Sequence, residues 1–124
     1  MANKARILVV EDEFLIRLTL VEALTDEGFD VIEAASADAA LPMLQSDPTI
    51  TVLLTDIQLP GDLDGRSLVK RVRETRPTLP VLFMTGRPDL ERESRISPLD
   101  QFIAKPYTLA DICSAVQRLT APVS

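Results

Sequence analysis

The chain of 124 residues contains no histidine and a single cysteine, and each scarcity excludes a class of chemistry. Without histidine there is no Ser-His-Asp triad and no Cys-His pair, and the commonest zinc ligand is missing. With Cys113 as the sole cysteine, no disulfide forms within the chain, which favours a reducing compartment such as the cytoplasm. Cys113 is therefore interpreted as a small buried hydrophobic residue.

Positive charge and long hydrophobic runs are also scarce. The chain has 13 Lys and Arg against 19 Asp and Glu, which gives a net charge of −6. Because nucleic-acid affinity comes largely from clustered Lys and Arg, DNA is not expected as a direct partner. Acidic residues end the apolar run at residues 7–10, so the N-terminal sequence is neither a signal peptide nor a membrane span.

The sequence does contain an alternation of short apolar runs and helical patterns. Its length of 124 residues predicts one domain over residues 1–124. The apolar runs, interpreted as strands, are residues 7–10, 30–34, 51–54, 81–84 and 102–104. Their continuous apolarity indicates burial on both faces. Alternating strands and helices predict a doubly wound α/β fold, with helices on both sides of a parallel sheet.

Two of the helical patterns are clear. In the first, Ile16, Leu20 and Leu24 recur at helical spacing, and Gly28 stands where a left-handed residue ends a helix. The last pattern opens with a sequence that resembles a capping box, from Thr108 to Asp111. Its apolar face is predicted to contain Leu109, Ile112, Cys113 and Val116.

Two other helical segments are less regular. Pro42 removes an interior hydrogen bond, so the second helix is predicted to be kinked or to begin later than its pattern suggests. The fourth segment, residues 87–98, has few apolar anchors between two prolines. We expect a short or mobile helix there.

Polar residues follow four of the five apolar runs, at the point where each predicted strand ends. They are Glu11, Asp12 and Glu13 after the first run, Thr55 and Asp56 after the third, Thr85 and Gly86 after the fourth, and Lys105 and Pro106 after the fifth. The strands of a parallel sheet all point the same way, so these side chains are expected at one edge. Open α/β sheets place their ligand sites at that edge.

The gathered groups have a definite chemical character. Close carboxylates resist ionising together, so Glu11, Asp12 and Asp56 require a cation. Oxygen donors without His or Cys favour magnesium, a hard ion that takes one or two carboxylates and keeps waters. With Lys105 and Thr85 beside them, the groups suit a phosphoryl group in transfer, and Asp56 is the candidate nucleophile that becomes an aspartyl phosphate.

These residues stand in four motifs, "ILVVEDE", "LLTDIQLP", "FMTG" and "FIAKPY". In this order and spacing they resemble the receiver domain of bacterial two-component response regulators, over a core of about residues 6–120. The resemblance implies a flavodoxin-like fold with strand order 2-1-3-4-5 and about five helices. It also implies a signalling domain rather than an enzyme, one that catalyses only its own phosphorylation and slow dephosphorylation.

The resemblance assigns the acceptor and the metal ligands. Asp56 is the residue that is phosphorylated. Asp12 and Asp56 bind magnesium directly, with manganese as a substitute, and Glu11 acts directly or through water. The backbone carbonyl of Gln58 completes the protein ligands. Glu11 departs from the family pattern, in which aspartate is commoner at this position.

The remaining roles concern the response to phosphorylation. By the resemblance, Thr85 bonds the phosphoryl oxygen, Lys105 pairs with it, and Phe102 takes the place of a switch aromatic, without the hydroxyl of the commoner tyrosine. The peptide bond between Lys105 and Pro106 is expected to be cis. The loop that contains Asp62 and Asp64 is one residue longer than usual, and both acids are expected to be solvated.

The resemblance also implies partners. The expected phosphodonor is a sensor histidine kinase or a histidine phosphotransfer protein. The sequence "PVLFMTG" matches in part a signature of single-domain receivers associated with HWE-class kinases. Phosphorylation is expected to reshape the face of the fourth helix, fifth strand and last helix, to act through protein contacts and to favour a dimer. The chain end at Ser124 favours a stand-alone receiver without an output domain, although a domain cut from a longer hybrid kinase would look much the same.

Two alternatives remain open. One is a hydrolase that turns over a phosphorylated substrate through an aspartyl phosphate; the absence of a second acid at Gln58, two residues after Asp56, counts against it. The other is a degenerate receiver that only docks on partners. The complete set of site residues counts against that reading.

Overall fold

The computed structural model of the protein describes residues 5–87 and 97–120. Within these ranges the chain forms a five-stranded parallel sheet in the order β2-β1-β3-β4-β5. The strands are β1 (Arg6–Val10), β2 (Asp30–Ala34), β3 (Ile50–Asp56), β4 (Val81–Thr85) and β5 (Asp100–Ala104). The predicted doubly wound fold and its strand order are confirmed.

Helices cover both faces of this sheet. They are α1 (Phe14–Asp26), α2 (Ala37–Ser46), α3 (Gly65–Arg73) and α4 (Leu109–Thr120). One apolar cluster lies between the sheet and α2 and α3, and a second lies between the sheet and α1 and α4. In β1, Leu8 and Val10 belong to the first cluster and Ile7 and Val9 to the second. The strand is apolar without a break because both of its faces are buried.

The helix predicted over residues 87–98 falls almost wholly on residues 88–96, which lie outside the described residues. The other predicted helices are present. No helix in the described ranges is both long enough and apolar enough to span a lipid bilayer. Cys113 is buried on α4, as predicted, with its thiol 3.8 Å from the carbonyl oxygen of Ala23.

The ends of α1 and α4 follow the sequence signals, with one exception. Gly28 has φ +95° just after the end of α1. At the start of α4 the Asp111 N–H donates to Thr108 Oγ1 at 3.0 Å, and the Thr108 N–H donates to the Asp111 carboxylate at 3.5 Å. Leu109, however, is 41% exposed, so the predicted apolar face is buried only from Ile112 onward. Leu109 lies one turn ahead of Ile112, the first buried residue of α4.

Helix α2 runs through Pro42 rather than starting late. It begins at Ala37, and the hydroxyl of Ser36 accepts a hydrogen bond from the Ala39 N–H at 3.1 Å. The predicted alternative of a later start is therefore wrong. The cap satisfies the Ala39 N–H, which has no carbonyl partner within the helix.

The start of α3 lies against the end of β3. Asp64 is not the solvated loop acid that the sequence predicts, because its carboxylate caps α3 by accepting the Ser67 N–H at 2.8 Å. The Gly65 N–H donates to the carbonyl of Ile57 at 2.9 Å. A Cβ atom on Gly65 would lie 1.9 Å from the backbone oxygen of Asp56. Only glycine permits this approach.

A buried ion pair joins α3 to the start of β5. Arg73 Nη2 lies 2.5 Å from Asp100 Oδ1, and the two side chains are 7% and 0% exposed. The same nitrogen donates to the carbonyl of Leu79, just before β4, at 2.7 Å. The pair therefore fixes three segments at the edge of the sheet opposite the strand ends that contain the predicted site.

Replacing Gly65 with alanine should lower the free energy of unfolding by about 2–4 kcal/mol, because the new methyl group displaces the backbone of Asp56. Urea denaturation followed by circular dichroism measures the loss. Gly86→Ala is the matched control, since a Cβ atom there meets nothing within 4 Å. Equal losses in the two variants would contradict the steric explanation.

Arg73→Met should cost about 3 kcal/mol, because it removes the Arg73 guanidinium from its buried ion pair with the Asp100 carboxylate. The double variant Arg73→Met/Asp100→Asn should recover part of that loss in the same urea assay. Lys70→Met, exposed on the same helix, controls for the lost positive charge. A single variant as stable as this control would show that the pair is not needed.

Candidate functional site

Three carboxylates meet at the carboxyl ends of β1 and β3. Glu11 and Asp12 follow β1, Asp56 ends β3, and one oxygen from each lies within 4.8 Å of the others. The two strands pair directly, with Val10 opposite Thr55. Glu11 and Asp56 are 1% and 3% exposed, whereas Asp12 is exposed. The structure thus brings together the carboxylates that the sequence predicted to converge.

Lys105, after β5, reaches the same point. Its Nζ lies 2.6 Å from Asp56 Oδ1, and its backbone N–H donates to the Thr85 carbonyl at 2.7 Å. The peptide bond between Lys105 and Pro106 is cis. Burial alone would lower the pKa of Lys105, but its hydrogen bond to Asp56 and the charges of the nearby carboxylates outweigh burial and raise that pKa. The lysine therefore stays charged.

The closeness of the three carboxylates changes the pKa of Glu11. Burial and the negative charge of the adjacent Asp56 raise the pKa of Glu11 to about 8. Glu11 Oε2 accepts the Glu13 N–H at 3.0 Å, while Oε1 is buried and has no hydrogen-bond partner in the described residues. A buried oxygen without a donor, inside a set of carboxylates, fits a hard divalent cation.

Beside Asp56 lies a small pocket of about 170 Å³. Its lining residues are Asp56, Gln58, Met84, Thr85, Gly86 and Lys105. Thr85 is buried, and its hydroxyl donates to the Arg87 carbonyl at 3.0 Å and accepts the Arg87 N–H at 2.9 Å. Thr85 therefore lies at the predicted place, with its hydroxyl bonded to the following loop.

Phe102 lies on β5 opposite Phe83 of β4. The two rings stack with centroids 5.1 Å apart and planes inclined by 17°. Phe102 is half-buried and packs against the apolar cluster beneath α2 and α3. In this structure the predicted switch aromatic is thus a partner of the core.

Two residues near the site had no signal in the sequence analysis. Tyr107 is half-buried, and burial together with the charges of Glu11 and Asp56 raises its pKa to about 12. Arg17 donates to the backbone carbonyl of Glu11 at 2.8 Å. Arg17 lies one turn into α1, just after the acidic end of β1, and this position is the signal by which the sequence could have suggested the contact.

Without divalent cations, Glu11 should make the protein less stable as the pH rises from about 4.5 to about 8. In this window the unfolded chain has released the Glu11 proton and the folded chain retains it, so stability is lost with rising pH. The test compares urea denaturation of wild type and Glu11→Gln in EDTA.

The difference between the two proteins should grow with pH in favour of Glu11→Gln. Glu22→Gln, which neutralises an exposed acid on α1, should follow wild type. Parallel stability curves for wild type and Glu11→Gln would contradict the raised pKa.

Known proteins share both the sequence and the fold of this chain. The response regulator receiver domain family matches residues 7–117. The response regulator receiver protein CpdR of Brucella abortus (strain 2308) is 33% identical over 121 residues, which cover 92% of this chain and 95% of CpdR. The DNA-binding transcriptional regulator NtrC of Proteus hauseri is 34% identical over 120 residues, 94% of this chain.

The chain spans only 24% of the length of NtrC. A crystal structure of a response regulator receiver protein from Sinorhizobium medicae WSM419 superposes with a TM-score of 0.85 at 32% identity, over 94% of each chain. With the family matching nearly the whole sequence and the fold superposing on that of a receiver protein, this chain belongs to the response regulator receiver domains of two-component signalling.

Proposed function

We propose that Asp56 is the residue on which this receiver domain accepts a phosphoryl group. The observation that carries the proposal is the 2.6 Å contact between Lys105 and the Asp56 carboxylate, at the mouth of the pocket beside Asp56. Asp56 is the carboxylate that belongs both to the acidic cluster and to that pocket. A nucleophile placed there has a cationic partner on one side and open space on the other.

The acidic cluster is proposed to hold magnesium, with manganese as a substitute. Asp12 and Asp56 would bind it directly, Glu11 directly or through water, and Gln58 through its backbone carbonyl. The buried Glu11 oxygen without a hydrogen-bond donor supports this donor set. A bound magnesium ion would offset the carboxylate charges and stabilise the charge that develops on the phosphoryl oxygens.

Asp56, Lys105 and Thr85 would each have a separate role in phosphoryl transfer. A carboxylate oxygen of Asp56 attacks phosphorus, and the bond to the nitrogen of a phosphorylated histidine breaks as the new O–P bond forms. Lys105 neutralises an oxygen of the incoming group, and the Thr85 hydroxyl is the hydrogen-bond donor available from β4. The domain would catalyse only this acceptance and a slow loss of phosphate.

The proposed donor is a sensor histidine kinase or a histidine phosphotransfer protein. The partial signature over residues 80–86 favours a kinase of the HWE class. The chain would act as one receiver domain, with a core of about residues 6–120, in the cytoplasm. It would pass the signal on through protein contacts and through a dimer that forms on phosphorylation. CpdR, which the chain matches along nearly its whole length, supports a domain of this size.

Wild-type protein incubated with acetyl phosphate and magnesium should gain one phosphoryl group, observed by intact-protein mass spectrometry. The gain should disappear in EDTA and in Asp56→Asn, which keeps the side-chain shape but lacks the nucleophilic carboxylate. Asp62→Asn, an exposed acid in the neighbouring loop, should be phosphorylated like wild type. Phosphorylation that persists in Asp56→Asn would assign the acceptor elsewhere.

A further inference from the structure

The main chain at Glu11 is held from two sides, although it lies beyond the end of β1. Its N–H donates to the carbonyl of Ala34 at the end of β2, at 3.2 Å. Its carbonyl accepts a hydrogen bond from Arg17 Nη1 at 2.8 Å. A side chain of α1 thus supplies the partner that a neighbouring strand would supply inside the sheet.

Arg17 is itself fixed in place. Its Nε lies 2.8 Å from Glu33 Oε1 on β2, and its side chain is only 13% exposed. The ring of Phe14 lies 5.6 Å from the Arg17 guanidinium carbon. A planar guanidinium donates to two partners in a set geometry, which a lysine ammonium cannot reproduce. The position of Arg17 is therefore determined by β1, β2 and the first turn of α1.

The carboxylate of Glu11 has little support of its own. One oxygen accepts the Glu13 N–H, and the other is buried beside the negative charge of Asp56. In the ionised form that would bind a cation, repulsion by Asp56 and burial both favour turning this side chain away from the cluster. Its direction depends on the backbone to which it is attached, and Arg17 holds that backbone.

We propose that Arg17 is a positioning residue that directs the Glu11 carboxylate towards the divalent cation, an inference that rests on the proposed magnesium site. Arg17 does not contact the cation. It acts through the carbonyl of Glu11, and Glu33 keeps it aligned. Residues that orient a metal ligand without touching the metal typically contribute 10–100-fold to metal affinity.

The chain offers a matched control at the other end of β1. Arg6 also joins β1 to neighbouring segments, through Asp30 at 3.3 Å and Asp47 at 2.8 Å. Both arginines are partly buried and ion-paired, but Arg6 lies at the edge of the sheet away from the acidic cluster. Loss of either arginine lowers stability, whereas loss of Arg17 alone should affect the cluster.

The experiment measures the magnesium dissociation constant of the full chain by isothermal titration calorimetry, with circular dichroism to confirm folding. Arg17→Met should weaken magnesium binding about 10-fold, and Arg6→Met should leave it unchanged. Arg17→Lys should recover only part of the loss, because lysine cannot bond both Glu11 and Glu33. Equal affinities in Arg17→Met and wild type would overturn the inference.

A double-mutant cycle separates positioning from general loosening of the fold. If Arg17 acts through Glu11, adding Arg17→Met to Glu11→Gln should weaken magnesium binding no further. The same 10-fold loss in both backgrounds would overturn the inference while leaving the magnesium site intact. Absence of magnesium binding in wild type, or wild-type affinity in Glu11→Gln, would overturn the proposed role of Glu11 as a ligand instead.

Discussion

The structure depends on one electrostatic constraint, the confinement of three carboxylates within 4.8 Å of one another at the end of the sheet. Two of them, Glu11 and Asp56, are withdrawn from water, and the raised pKa of Glu11 expresses the cost. Lys105 offsets part of that cost through Asp56. The remaining charge suits the cluster to the cation that we propose. The feature that destabilises the isolated domain is therefore the one that suits it to phosphoryl chemistry.

The fold keeps the three carboxylates close together mainly by fixing the main chain of the residues that carry them. Asp56 ends a strand buried on both faces, and Gly65 lets α3 approach its carbonyl more closely than any other residue would. Arg17 holds the carbonyl of Glu11. Lys105 comes from the edge strand β5, whose far end is tied to α3 by Asp100. The acidic cluster is thus supported from every layer of the domain.

The strands and the gathering of residues at their carboxyl ends could be predicted from the sequence, because they follow from parallel topology. The contacts made by long side chains could not. Continuous apolar runs identified the strands because both faces of the sheet are covered, and parallel strands necessarily bring Asp56 and Lys105 to one edge. The contacts of Arg17 and Arg73 were not predicted, since a guanidinium reaches partners that no local pattern encodes. The exposure of Leu109 was missed because helical periodicity does not show where packing on the sheet begins.

The hydrogen bonds of Thr85 have a consequence for the energetics of signalling. A hydroxyl has one proton, and in this structure the Thr85 proton is given to the carbonyl of Arg87. Under the proposed function, donation from Thr85 to a phosphoryl oxygen on Asp56 would require that bond to break, so the turn at Arg87 and the phosphorylated aspartate would compete for one donor. Such competition is reciprocal. A protein that stabilises the turn would then oppose phosphorylation by the same free energy with which phosphorylation would weaken its binding.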